Sequence, residues 1–145
     1  MTWWSVVRFL HVMSAALWVG GQLTVTLVLL PPARRALSAG HRARLLNAVG
    51  RRFGVLTVAA FLPVQIGSGV AMAWHKGVTW ASLGEPGYGR ILAVKLLLFC
   101  AVMLAAGVHG WATGAGRPGF ARAMALASLV GSVGVVLLAT ALPYT

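Results

Sequence analysis

Arg8-Phe9-Leu10-His11 sets an imidazole at the start of a long apolar run. His11 is the only residue between Phe9 and Leu30 that readily carries charge. An ionisable side chain in such a run is costly unless something binds or pairs it, which makes it a functional-site candidate. Four other residues could share its chemistry: Met72, His75, Lys95 and Arg8. Histidine and methionine are axial ligands of heme iron, and cationic side chains pair with propionates. This set therefore points to a noncovalent heme b, since no Cys-x-x-Cys-His attachment motif is present. His11 is expected as one axial ligand and His75 as the other, with Met72 and Lys95 as rivals. Trp18 is a candidate for lining a cofactor face. Glycines at 20, 21, 67 and 69 would let a flat porphyrin lie against backbone. Copper is the alternative, because soft Met and His ligands suit Cu(I), and Met13, Met72, Met103, His11 and His109 could form relay sites.

Each residue also has a plainer reading. His11 could be a hydrogen-bonded packing histidine, and His75 an interfacial residue beside Trp74. His109 could cap a helix end, Lys95 could snorkel its ammonium to the surface, and Met72 and Trp18 could be core. His41 reads as a solvated loop residue. Carboxylate-pair catalysis is excluded, because Glu85 is the only acid in the chain. The single cysteine, Cys100, has no partner for a disulfide or a metal.

The elements that must position these residues are four apolar runs, at about 5–30, 54–75, 91–112 and 120–142. Each reaches the ~20 residues needed to span a bilayer's hydrocarbon core. Of 145 residues, 59% are hydrophobic and 9% charged. The expected fold is all-α, an integral membrane four-helix bundle forming one transmembrane domain. The first run lacks the cationic start and small-residue cleavage site of a signal peptide and is kept as a mature helix.

The net charge of +11 would suit a nucleic-acid binder, but its distribution argues otherwise. Six of the twelve cationic residues lie between the first two runs: Arg34, Arg35, Arg42, Arg44, Arg51 and Arg52. That asymmetry is the positive-inside signature. It puts loops one and three in the cytoplasm and both termini on the outer (periplasmic or extracellular) side. The lipid bilayer is the expected partner, with the basic loop near anionic headgroups; nucleic acid is not. A bacterial-type inner or plasma membrane is the expected location.

Within the first helix His11, Ser14, Trp18, Gly21 and Val25 recur at steps of three and four, which puts them on one face. Gln22 lies beside that stripe and needs a partner in lipid. Pro31-Pro32 is expected to end the helix. Residues 33–52 are expected to be partly helical at the inner interface, with helix two starting near Phe53 and kinked at Pro63. Gln65-Ile66-Gly67-Ser68-Gly69 is small and polar at membrane depth, and Ser68, Met72 and His75 share a face. In helix three Lys95, Phe99, Val102, Ala106 and His109 recur at helical spacing. Lys95 and His109 are then separated by about 21 Å of rise. Ala127, Gly131 and Gly134 form a small-residue stripe on helix four, suited to packing or to homo-oligomers. Pro143 and Tyr144 close that helix at the outer face.

Three stretches resemble a known superfamily. Leu10-His-Val-Met-Ser-Ala-Ala-Leu-Trp-Val-Gly-Gly21 is similar to the first helix of HemJ-type protoporphyrinogen oxidases and CopD-type copper-resistance membrane proteins. Arg51-Arg52 leading to Gly67-Ser-Gly-Val-Ala-Met-Ala-Trp74 resembles their second helix, and Val94-Lys95 through Val108-His-Gly-Trp111 the HemJ third helix. The resemblance implies a membrane-embedded b-type heme protein of about four helices. For HemJ relatives it implies a heme-dependent oxidoreductase that passes electrons to the respiratory chain, through a partner protein or a quinone. For CopD relatives it implies copper transport or resistance. His11 and Lys95 are the positions it marks as heme- or activity-related. The chain departs from the family at Leu29-Leu-Pro-Pro-Ala-Arg34, and helix four lacks the Asn-Glu-x-Pro motif.

Overall fold

The computed structural model describes residues 2–142, so the expected closure at Pro143 and Tyr144 lies outside the described residues. Among the described residues the structure is all-helical, with four helices long and apolar enough to cross a membrane: Trp3–Ala36, Ala39–His75, Tyr88–Gly114 and Pro118–Ala141. The chain is a multi-pass membrane protein. The helices divide into two compact units, with the boundary just after Met72, inside the second span.

The first two spans run longer than their apolar cores. The first does not stop at Pro31-Pro32. It passes through a π-helical segment, Thr24–Leu29, and resumes as an α-helix at Leu30–Ala36, where the prolines occupy the first turn. The widened segment supplies the physical reason. A proline ring clashes with the carbonyl four residues back and brings no N–H, but first-turn positions do not need that N–H. The Leu30 N–H instead reaches the Val25 carbonyl, five residues back.

The second span repeats the device. Thr57–Phe61 is π-helical, the Leu62 N–H bonds the Thr57 carbonyl, and Pro63 follows in the resumed helix, Leu62–His75. Both π segments begin at a threonine whose hydroxyl bonds the carbonyl four residues back, Thr24 to Gly20 at 2.7 Å and Thr57 to Phe53 at 2.8 Å. Such back-bonding loosens the ladder just where the wide turn forms.

The second span also starts earlier than Phe53. The basic segment is itself helical from Ala39, with Ser38 as N-cap accepting from the His41 N–H. His41 Nδ1 lies 2.7 Å from the Ser38 hydroxyl, so this histidine serves the cap of an exposed turn. Only Leu37 and Ser38 separate the two spans.

In the second unit the third and fourth spans are joined at Gly114–Arg117 and pack side by side. Gly131 and Gly134 create the notch. A Cβ at Gly131 would stand 2.5 Å from Val102 Cγ2, and one at Gly134 would stand 3.1 Å from Leu98 Cδ2. The small-residue stripe of the fourth span is therefore used within the chain. His109 binds the same partner helix, with Nδ1 2.8 Å from the Ala121 carbonyl.

Candidate functional site

The polar stripe of the first span faces the second. His11, Ser14, Trp18 and Gly21 each meet a residue of that helix, one helical turn after another. The matching stripe is Phe53, Thr57, Phe61, Gln65 and Ser68, at steps of four and three. Sequence reasoning recognised Gln65 and Ser68 as polar at membrane depth but did not pair them with His11. The repeat of the first span's own spacing was the available signal.

Both ring nitrogens of His11 are engaged. Nδ1 lies 2.9 Å from the Ser68 hydroxyl, and Nε2 lies 3.2 Å from the side-chain nitrogen of Gln65. Ser68 directs its single hydroxyl hydrogen to the Val64 carbonyl, so it accepts at Nδ1. The pattern assigns the proton to Nδ1 and leaves the lone pair on Nε2, where the Gln65 amide donates. Gln65 in turn accepts from the Ser14 hydroxyl through Oε1, and Ser14 has a second acceptor in the His11 carbonyl at 3.1 Å. Gln65 is buried, 8% exposed. A buried amide in a spanning helix would cost several kcal/mol unpaired, and here its contacts are complete on the His11 side.

Gly69 makes room for this arrangement. A Cβ there would lie 3.2 Å from His11 Cε1, so the imidazole rests against the backbone of the second span. Gly21 is used in the same way by Phe53, whose ring would meet a Cβ at 2.5 Å. Two of the four glycines expected against a porphyrin are thus filled by the protein's own rings. Gly20 and Gly67 have no neighbour within 4 Å of a built Cβ.

Trp18, only 7% exposed, lies below the network. Its ring stacks on Phe61 with centroids 5.0 Å apart and planes 10° from parallel, and it lies 6.3 Å from Phe53. Its Nε1–H donates to Thr57 at 3.0 Å. Trp18 therefore clamps the first span to the π segment of the second, with one face covered by Phe61.

Of the remaining expected residues, Arg8 is exposed, three residues before His11. Met72 is half-buried on the second span, four residues after Ser68. His75 and Lys95 belong to the second unit. His75 is exposed at the end of its helix, and Lys95 is half-buried in the third span. Among the described residues no three His, Cys, Asp or Glu side chains gather where they could hold a metal ion. The chain matches no protein-family model, no curated protein and no solved structure.

Proposed function

We infer that this is a b-type heme protein of four helices, working in membrane electron transfer, with His11 as an axial ligand. The observation that carries the reading is the pair of contacts at the His11 ring, Ser68 on Nδ1 and Gln65 on Nε2, from which the tautomer is assigned. A metal-binding imidazole characteristically donates its other ring N–H to a fixed acceptor. Here Nδ1 donates to Ser68, and Nε2 keeps its lone pair inside a lipid-spanning helix. The donor on Nε2 is the end of a glutamine side chain, so a heme iron held at that nitrogen would need only the carboxamide, and not the backbone, to move. That is the sense in which the residues fit the group.

When bound, a heme supplies reversible one-electron chemistry. The protein's part is to hold the imidazole in one tautomer and orientation through Ser68 and Gly69, and to keep that half of the span dry with Trp18 and Phe61. His75 is the first choice for the second ligand and Met72 its rival, both on the second span; Lys95 of the third span is the remaining rival. The Arg34–Arg52 basic segment supports a topology with both termini outside, in a bacterial inner or plasma membrane. A respiratory-chain protein or a quinone is the expected electron partner.

The test is an oxidised-minus-reduced spectrum with metal analysis of purified protein. A Soret and α-band change with stoichiometric iron is expected, lost in His11→Ala. The reading fails if no iron and no porphyrin are found, or if His11→Ala retains full heme. Copper without porphyrin would replace it with copper transport.

A further inference from the structure

Six arginines stand on the hairpin that links the first two spans, and the unit that holds them contains no acidic residue. The only carboxylate side chain of the chain, Glu85, lies in the other unit. Five of the six, Arg34, Arg35, Arg44, Arg51 and Arg52, are exposed.

Their depth follows from the helices that carry them. The apolar run of the first span ends at Leu30 and that of the second begins at Phe53. Arg34 and Arg35 follow the first boundary, and Arg51 and Arg52 precede the second, all within about 8 Å of rise. That places four guanidiniums at headgroup level on two adjacent helices. The first span has 34 residues and the second 37, or roughly 51 and 55 Å. The bilayer with its headgroups is only about 40–45 Å thick, and Arg44, nine residues or about 13 Å beyond the Phe53 boundary, stands just past the headgroup layer, within reach of it through its long side chain.

Direction is set by packing. Phe53 is locked into the Gly21 notch and against Trp18. At about 100° per residue, Arg44 and Arg51 lie about 180° and 200° around the helix from Phe53. They therefore point away from the first span. The two-residue link, with Ser38 as a helix cap, keeps the two helix ends together.

We propose that the exposed arginines around this hairpin, Arg34 and Arg35 on the first span and Arg51 and Arg52 with Arg44 on the second, bind the phosphates of anionic phospholipids. Guanidinium forks bind phosphate oxygens in pairs, and exposed cations with no carboxylate in their own unit retain that capacity. The site needs no heme and stands apart from the reading of His11.

The test is the lipid shell that stays with the full-length protein taken from nanodiscs of mixed phosphatidylcholine and phosphatidylglycerol, measured by mass spectrometry. Phosphatidylglycerol should be enriched over its bulk share. R51Q/R52Q should weaken its relative affinity by up to about 30-fold, at about 1 kcal/mol of headgroup attraction for each arginine removed, and move the shell toward bulk composition. R51K/R52K, which keeps the charge and hence the orientation signal, should retain part of the enrichment. Arg90→Gln, a cation of the other unit, should change nothing. Equal shells in wild type and R51Q/R52Q overturn the proposal, as does an equal effect of Arg90→Gln. Loss of the enrichment on adding millimolar inorganic phosphate would assign the site to free phosphate, and loss on adding a short RNA would assign it to nucleic acid. If R51Q/R52Q fails to insert, the shell of wild type decides alone, and bulk composition there refutes the site.

Discussion

The contact between Ser14 and Gln65 can be weighed with a double-mutant cycle. Gln65→Leu removes the amide. Ser14 then still has the His11 carbonyl at 3.1 Å as acceptor, so its hydroxyl is not stranded. His11 Nε2 loses the donor it now has at 3.2 Å. Losing one side-chain hydrogen bond to this half-buried imidazole costs about 1 kcal/mol. Ser14→Ala strips the donor from Gln65 Oε1, also about 1 kcal/mol. In the double variant Oε1 no longer exists, so the Ser14 change adds almost nothing. The expected coupling is thus about 1 kcal/mol, within the range of up to about 1.7 kcal/mol for side-chain hydrogen bonds between membrane helices. The assay is equilibrium unfolding of the four proteins in mixed micelles, followed by far-UV circular dichroism. Costs that add to within about 0.3 kcal/mol would show that the two side chains do not interact, since independent sites behave that way. That result would remove the Ser14–Gln65 contact that turns the amide nitrogen toward His11 Nε2.

Two further outcomes follow from the packing. Trp18→Phe keeps a ring against Phe61 but loses the bond from Nε1 to Thr57, and should lower stability by about 1 kcal/mol in the same unfolding assay; an unchanged midpoint would deny that bond a structural role. Gly131→Val drives a branched side chain into Val102 and should cost about 1–3 kcal/mol as overpacking. Thermal unfolding together with proteolysis at the 114–117 link should report it, and a variant as stable and as protease-resistant as wild type would mean that the third and fourth spans do not meet at this glycine.

Much of the architecture was legible because the signals are local. Bilayer thickness alone turns a run of some twenty apolar residues into a span, and four were visible. Helical periodicity alone put His11, Ser14, Trp18 and Gly21 on one face, and the structure keeps them there, against the second span. The ends were less legible. Pro31-Pro32 reads as a stop, yet the helix absorbs it, because a threonine seven residues before Pro31 starts a wide turn that moves the prolines into a first-turn position. The arginine-rich segment reads as helical only in part, yet one serine cap lets it run as continuous helix from Ala39.

The number of spans, the polar stripe and the isolation of His11 thus follow from each residue's own neighbours in the chain. Only the tertiary structure decided what that stripe touches: Gln65 and Ser68 on the two imidazole nitrogens, Phe53 in the Gly21 notch, and Val102 and Leu98 against Gly131 and Gly134. These are choices among residues tens of positions apart. Small and polar side chains advertise that something must approach closely or bond, but many partners satisfy that demand equally well in sequence. Close packing selects among them, because a notch admits one ring and a buried amide must meet its donors and acceptors at once.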